Sequence, residues 1–181
     1  MKYPLMVIFL LSFLTQGCED KKGQNLNPLD EGVNSYTSVN IKQGGPEYFT
    51  FADNEGTLTE PAKWDMAFAT VEFVPAPGAP AIQDPVILTG TDVPFAKLDA
   101  ADLSTVTDVP AATLFKTDDT GEYVTQGWYD YNPETHLMTP KDYVFVVNTS
   151  DGKYPAFEIT SYYDDDGNSG TISIQWKYLV K

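Results

Sequence analysis

From Tyr36 onward, apolar and polar residues alternate in short runs that end at Gly, Pro, Asn or Asp. Alternation with a period of two is typical of strands with one buried face, and aromatic and β-branched residues are favoured in them. The pattern therefore predicts six strands, over residues 36–41, 48–51, 64–71, 143–147, 156–163 and 171–178.

Turn-forming residues separate these runs. Residues 164–170 (DDDGNSG) lie between the last two predicted strands, so they predict a C-terminal hairpin. A short helix is predicted over residues 97–103 (KLDAADL), and the proline-rich residues 75–85 predict an irregular loop. We therefore predict an all-β fold: one multi-stranded antiparallel domain, closed as a sandwich or barrel because closure protects strand edges.

The first residues have the pattern of an export signal. Lys2 precedes a ten-residue apolar run over residues 5–14, which is too short to span a membrane because a spanning helix needs about 20 residues. Gly17 stands directly before Cys18, as in bacterial lipoprotein signals. This predicts cleavage before Cys18, acylation of its thiol and anchorage in the membrane, with ordinary secretion as the alternative.

These features divide the chain into three parts. Residues 1–17 are predicted to be a signal peptide, residues 18–35 a lipidated cysteine followed by a flexible tether, and residues 36–181 a single β domain. Cys18 is the only cysteine, so an intramolecular disulfide is impossible.

Charge and motifs narrow the function. The formal net charge is −15, and such a surface repels phosphate backbones, so nucleic-acid binding is not expected. The chain contains no GxSxG, HExxH, glycine-rich phosphate loop or CxxC motif. We therefore expect a binding protein and not an enzyme.

Several segments carry a family resemblance. They are 48–51 (YFTF), 64–68 (WDMAF), 127–131 (GWYDY), 140–147 (PKDYVFVV), 151–154 (DGKY) and 161–163 (SYY). In this order and spacing they resemble the HmuY-like haem-binding lipoproteins of Bacteroidota-type bacteria. The resemblance covers most of residues 36–181. It implies an all-β fold, lipid anchorage in the outer membrane with the domain on its periplasmic or extracellular face, haem capture, and transfer of haem to a TonB-dependent receptor.

The same resemblance points to a site. It implies that haem iron is held by axial side chains, two His in some members of that family and Met in others. His136 is the only histidine here, so two-His ligation within one chain is impossible. It precedes the predicted strand at residues 143–147, where one family ligand also falls. The region of the other family ligand, residues 112–126, is shortened and holds neither His nor Met.

Haem iron accepts His, Met or Tyr as an axial ligand. The candidates are His136, Met138, Met66 and Tyr131. On one strand, His136 and Met138 would point to the same face about 6.6–7 Å apart and could not sandwich one iron. We therefore expect at most one strong axial ligand and weaker or high-spin haem binding. A core role for Met66, a surface or turn role for His136 and a core or surface role for Tyr131 stay open.

Two other functions remain open. One is a surface interaction or structural lipoprotein of the same fold that binds no haem. The other is a carbohydrate-binding lipoprotein that uses exposed Trp and Tyr rings. Apart from haem iron, no metal is expected.

Overall fold

A computed structural model describes residues 32–99, 101–119 and 121–180 of the chain. These residues form mainly strands. They are β1 (Asn34–Thr37), β2 (Glu47–Thr50), β3 (Glu55–Thr57), β4 (Met66–Phe73), β5 (Ile82–Thr89), β6 (Phe95–Asp99), β7 (Phe115–Lys116), β8 (Tyr129–Asn132), β9 (Leu137–Pro140), β10 (Tyr143–Val147), β11 (Tyr154–Tyr163) and β12 (Ser169–Leu179). One short helix, α1 (Ile41–Gly44), and a 3-10 turn (Ala112–Leu114) accompany them.

The strands form three antiparallel sheets. The largest has the order β1-β12-β11-β10-β6-β7, the second has the order β3-β2-β4-β5, and β8 pairs with β9 alone. The predicted all-β antiparallel fold is confirmed. The predicted C-terminal hairpin is confirmed as well, because β11 pairs with β12 across a turn closed by the Asp164 carboxylate, which accepts from the backbone N–H of Asn168 at 2.7 Å.

The core lies between the two larger sheets. Phe51, which follows β2, contacts Trp176 of β12 at a ring-centroid distance of 5.1 Å and Phe157 of β11 at 6.2 Å. All three rings are fully buried. Burial of a large apolar side chain contributes about 1.5–3 kcal/mol, so this aromatic layer joins the sheets into a sandwich without a disulfide.

Two predicted elements differ from the structure. The helix predicted over residues 97–103 is wrong, because Phe95–Asp99 is β6 and pairs with β10. An isolated seven-residue helix is unstable in water, whereas strand pairing buries Phe95 and Ala96 completely. The loop predicted over residues 75–85 ends early, because β5 begins at Ile82 and pairs with β4.

The first strand also differs from the predicted one. β1 begins at Asn34 and pairs with β12, two residues before the strand predicted over residues 36–41. The strand predicted over residues 36–41 stops at Thr37, and α1 begins at Ile41. The side chain of Asn40 caps α1 by accepting from the backbone N–H of Lys42, which ends the extended run. The predicted signal peptide and Cys18 lie outside the described residues.

Candidate functional site

The hairpin formed by β8 and β9 carries most of the predicted ligands. Its register places Tyr131 opposite Met138. Asn132 shapes the four-residue loop through two hydrogen bonds. Its side-chain oxygen accepts from the backbone N–H of Glu134 at 2.8 Å, and its backbone carbonyl accepts from the backbone N–H of His136 at 2.8 Å. His136 has a φ of 59°, a left-handed conformation in which His is found more often than most residues.

The two faces of this hairpin differ. Tyr129 and Met138 are half-buried and pack against the main core, whereas Asp130 and Asn132 face solvent. Tyr131 shares the core-facing side by register, yet it lies near the tip, where 49% of its surface is exposed. Among the tyrosines of the described residues, Tyr131 alone is exposed.

Tyr131 and His136 interact directly. The phenolic oxygen of Tyr131 lies 2.6 Å from Nδ1 of His136, and the ring centroids are 6.1 Å apart. Both residues are exposed. β9 begins at Leu137 and His136 lies in the turn, so His136 and Met138 are not on one strand. His136 thus has the turn position that the sequence analysis left open. The turn instead directs the imidazole to the tyrosine of the partner strand.

Met66 lies apart from the other candidates. It is in β4, fully buried, and belongs to the core between the two larger sheets. The hairpin therefore brings together three of the four predicted ligands, Tyr131, His136 and Met138, but not Met66.

The base of the hairpin holds a buried polar cluster that the sequence did not reveal. The hydroxyl of Tyr129 donates a short hydrogen bond to the carboxyl of Asp84, which is 3% exposed. Beside it, the indole N–H of Trp128 donates to the carbonyl of Pro85 at 2.8 Å. Burial, and then the hydrogen bond with Asp84, raise the pKa of Tyr129. These bonds fix β8 to β5.

A second phenol belongs to this cluster. Tyr162 of β11 is buried, and among the described residues its hydroxyl has no hydrogen-bond partner. Burial raises the pKa of Tyr162 to about 12, and the neighbouring Tyr163 and Asp84 add to the effect. No signal in the sequence marks this cluster, because Asp84 falls in the segment predicted to be an irregular loop.

Lysines flank the same end of the hairpin. Lys141 follows β9, and its Nζ lies 3.4 Å from a carboxylate oxygen of Asp130 and donates to the carbonyl of Gly127 at 3.0 Å. The Nζ of Lys97 lies 3.9 Å from the centroid of the Tyr143 ring, a cation–π contact, and that of Lys141 lies 5.8 Å from the same centroid. The Nζ of Lys97 also lies 3.4 Å from a carboxylate oxygen of Asp99, so both lysines have acidic partners.

Two open depressions adjoin these residues. One, of about 480 Å³, is lined by two lysines and three acids, Lys97, Lys116, Asp99, Asp119 and Glu122, together with apolar residues. Much of its wall comes from residues 112–126, the segment predicted to be shortened. The other, of about 560 Å³, follows the hairpin and is mostly polar, with two carboxylates and no cation in its lining: Asp130, Tyr131, Asn132, Pro133, Glu134 and Thr139. Both are large enough for a cofactor-sized molecule, since ligand sites commonly measure about 300–1,000 Å³.

The donor set of the hairpin fits haem iron. Phenolate, imidazole and thioether are each known axial ligands of haem. Because Tyr131 and Met138 are cross-strand partners, their side chains stand on one side of the hairpin and cannot approach a single iron from opposite sides. At most one of these two residues could therefore serve as an axial ligand to one iron.

The aromatic residues offer little support for carbohydrate binding. Trp128 and Trp176 are buried, and Trp64 is half-buried with its ring against Tyr48 at a centroid distance of 5.1 Å. Among the described tryptophans and tyrosines, Tyr131 is the one that is exposed.

The described segments contain no helix that is both long and apolar enough to cross a bilayer.

Comparisons with known proteins agree with this architecture. A family model described as HmuY protein matches residues 42–176, about three quarters of the chain. Among solved structures, a candidate lipoprotein from Bacteroides fragilis superposes with a TM-score of 0.61 at 14% identity, covering 86% of this chain and 94% of that one. No curated protein matches the chain in sequence.

Two further structures share the fold. The apo HmuY analogue of Tannerella forsythia gives a TM-score of 0.58 at 16% identity and covers 84% of this chain and 99% of that one. A candidate HmuY-like haem-binding protein from Bacteroides vulgatus gives 0.55 at 14% identity, covering 82% of this chain and 93% of that one. At such identities the likeness concerns the fold alone.

Proposed function

This chain belongs to the HmuY family, and on that premise we propose that it is a surface lipoprotein that binds haem or a related tetrapyrrole for uptake. The observation that carries the proposal is the β8–β9 hairpin, which holds a phenol, an imidazole and a thioether within one short loop and its flanking strands. The similar protein from Bacteroides vulgatus, described as a candidate haem-binding protein, supports the same ligand class.

The charges at the base of the hairpin support this ligand. Haem carries two carboxylates beside its apolar ring, and an ammonium is a suitable partner for a carboxylate. Lys141 and Lys97 flank the ring of Tyr143 at the base of the hairpin. Each lies 3.4 Å from a carboxylate oxygen, of Asp130 and of Asp99, and would exchange that partner for a haem carboxylate. We assign these lysines to the carboxylates and the hairpin to the iron.

The proposal makes this chain a binding protein and not an enzyme. Lipidation of Cys18 would attach it to the outer membrane, on either its periplasmic or its extracellular face, and a TonB-dependent receptor is the proposed acceptor of the haem. A single axial ligand favours this transfer, because a five-coordinate iron is released more readily than one held on both sides.

A titration tests the ligand. Ferric hemin is added to the full-length protein in detergent, and the absorbance of micelles without protein is subtracted. We expect a Soret shift that saturates at one equivalent, with a high-spin spectrum. A spectrum identical to that of hemin in empty micelles would contradict haem binding.

A second experiment tests the anchor. The wild type and Cys18→Ala are expressed in a host with lipoprotein processing, and membrane and soluble fractions are compared. We expect the wild type in the membrane fraction with an acylated N-terminal cysteine by mass spectrometry, and the variant in the soluble fraction. Equal partitioning of both proteins would contradict the anchor.

A further inference from the structure

The hairpin formed by β4 and β5 extends beyond its sheet. β2 pairs with β4 as far as Phe68, whereas β4 and β5 continue as a two-stranded ribbon to Phe73 and Ile82. Residues 73–82 (FVPAPGAPAI), the apolar loop, contain no side chain that can donate or accept a hydrogen bond. Connections between strands are ordinarily polar, so an exposed apolar run of this length is typical of an interaction surface.

The apolar loop is in contact with solvent. Val74 and Ile82 have 51% and 42% of their surface exposed, and of residues 75–81 all but Ala79 are exposed. Three of these positions, 75, 77 and 80, are prolines, which have no backbone N–H. Moving the loop out of water is therefore favourable for its side chains and breaks few hydrogen bonds between the backbone and water.

The apolar loop is also preorganised. The backbone N–H of Ala79 donates to the carbonyl of Ala76 at 2.9 Å, and Gly78 has a φ of 84°, as in a type II turn. At its base the ribbon is held by the buried polar cluster around Asp84. A loop that is fixed in this way loses little conformational entropy when it is buried against another surface.

Charge and hydrogen bonding favour lipid as the occupant of this surface. The chain has a formal net charge of −15, yet residues 73–83 carry no charged side chain. A second copy of the chain would bring two strongly acidic bodies together, which repulsion opposes. A protein groove makes about one hydrogen bond per 100–200 Å² of interface, and the side chains of the loop can make none. The apolar part of a membrane surface requires no such bonds.

The predicted anchor is long enough for this contact. From Cys18 to Asn34, where β1 begins, the chain runs for 16 residues and can reach at most about 53–58 Å. β12, the longest of the described strands, has 11 residues and a length of about 35–37 Å. The reach of the tether exceeds this length, so a domain anchored at Cys18 can turn the ribbon to the membrane.

We infer that the apolar loop enters the headgroup boundary of the membrane and forms a second point of attachment beside Cys18. This inference rests on the anchorage proposed above and is independent of haem binding. The insertion is shallow, about 5–10 Å, because lipid-exposed loops do not occur in the hydrocarbon region. A weak contact is sufficient, since the anchor already holds the domain at a high effective concentration beside the membrane. The contact fixes the orientation of the domain.

The test places an environment-sensitive fluorophore on the apolar loop, on Val74→Cys. Leu58→Cys is the matched control, because Leu58 is 54% exposed and follows β3, outside the ribbon. Both are made in the full-length protein with Cys18, whose acylated thiol does not react with the label, and again with Cys18→Ala. The proteins are reconstituted with phosphatidylcholine vesicles whose acyl chains carry bromine near the headgroup or near the chain end. Flotation isolates the bound fraction, and circular dichroism verifies folding.

We expect the label on Val74→Cys to shift to shorter wavelength and to be quenched, more strongly by bromine near the headgroup. The label on Leu58→Cys should behave as it does in water. Adding Ile82→Asp to Val74→Cys should weaken insertion at least about tenfold, because burial of an isoleucine side chain changes an equilibrium constant by that factor or more. Added salt should leave the quenching unchanged, since the loop carries no charge.

The outcomes separate the anchor from the apolar loop. If the protein floats with the vesicles but the label on Val74→Cys is quenched no more than that on Leu58→Cys, lipid is overturned as the occupant while the anchor stands. A shift that appears without vesicles and grows with protein concentration would overturn it in favour of a second copy of the chain. Quenching on Val74→Cys that persists in Cys18→Ala would support the loop without the anchor. If neither form floats, the anchorage and the loop contact fail together.

Discussion

Tyr129 and Tyr131 lie two residues apart on β8, and the phenol of each is hydrogen-bonded to a partner outside that strand. Tyr129 is half-buried and donates to Asp84 of β5, so its bond ties the hairpin to the four-stranded sheet. Tyr131 is exposed and bonded to His136, so its bond closes within the hairpin itself. The same type of residue, a tyrosine, therefore fixes the base of the hairpin to a sheet and exposes a phenolic oxygen at its tip.

The difference follows from desolvation. A hydrogen bond between buried groups is costly to break, because the group left behind has lost its water, whereas an exposed group recovers hydration when its partner is removed. The base can therefore fix the position of the hairpin, and the tip can be changed for binding with little effect on folding. Substitutions at the base and at the tip should therefore have unequal effects on stability.

The largest effect should come from high pH. Burial raises the pKa of Tyr36, Tyr129 and Tyr162, the last to about 12, whereas a phenol in the unfolded chain has a pKa of about 10. A raised folded-state pKa means that the native chain holds its proton more tightly. The stabilisation is complete below about pH 10 and is lost as pH rises through the folded-state pKa.

Urea unfolding between pH 7 and pH 12 measures this loss. We expect the free energy of unfolding to fall steeply above about pH 10. The curve should become shallower in Tyr129→Phe but keep its shape in Tyr131→Phe, since only the former phenol is part of the buried cluster. A free energy of unfolding that stays constant from pH 10 to pH 12 would contradict the role of the buried phenols.

The next effect concerns the hydrogen bond between Tyr129 and Asp84 at neutral pH. Tyr129→Phe leaves the carboxyl of Asp84, which is 3% exposed, without the hydroxyl that donates to it. We expect a loss of about 2–3 kcal/mol in the free energy of unfolding, measured with urea at pH 7, because a buried polar group loses its partner. Asp84→Asn is the control, since its amide oxygen still accepts from Tyr129 and should lower stability less. If the free energy of unfolding falls no further in Tyr129→Phe than in Tyr131→Phe, the base and the tip do not differ in their contribution to stability.

The sequence predicted the frame of the molecule better than its site. Runs such as residues 171–178 alternate over enough positions to identify a strand, and β12 confirms that run. β8 and β9 have only four residues each, too few for alternation to distinguish them from loop. The contact of Tyr131 with His136 depends on the left-handed backbone of His136, and that of Tyr129 with Asp84 joins residues 45 positions apart. The local alternation of apolar and polar residues predicts neither contact.

A smaller change in the free energy of unfolding, of opposite sign, is expected at Tyr162. The hydroxyl of Tyr162 is buried and has no hydrogen-bond partner among the described residues. Tyr162→Phe removes this hydroxyl while the ring keeps its edge-to-face contact with Trp128, at a centroid distance of 6.1 Å. We expect a gain of about 1 kcal/mol in the free energy of unfolding. A loss of similar size would show that the Tyr162 hydroxyl is hydrogen-bonded in solution. It would then belong to the buried cluster together with the Tyr129 hydroxyl and the Asp84 carboxyl.

The smallest effect is expected at the tip. Tyr131→Phe removes a hydrogen bond whose two partners, the phenol and the His136 imidazole, are both exposed, so water can replace it. We expect the free energy of unfolding to change by less than about 0.5 kcal/mol, the usual range for surface substitutions. A larger loss in urea unfolding at pH 7 would mean that the tip also supports the fold. If stability is unchanged while ferric hemin affinity falls, the loss of affinity cannot be attributed to misfolding. The tip would then act in binding alone, on a hairpin that Tyr129 holds in place.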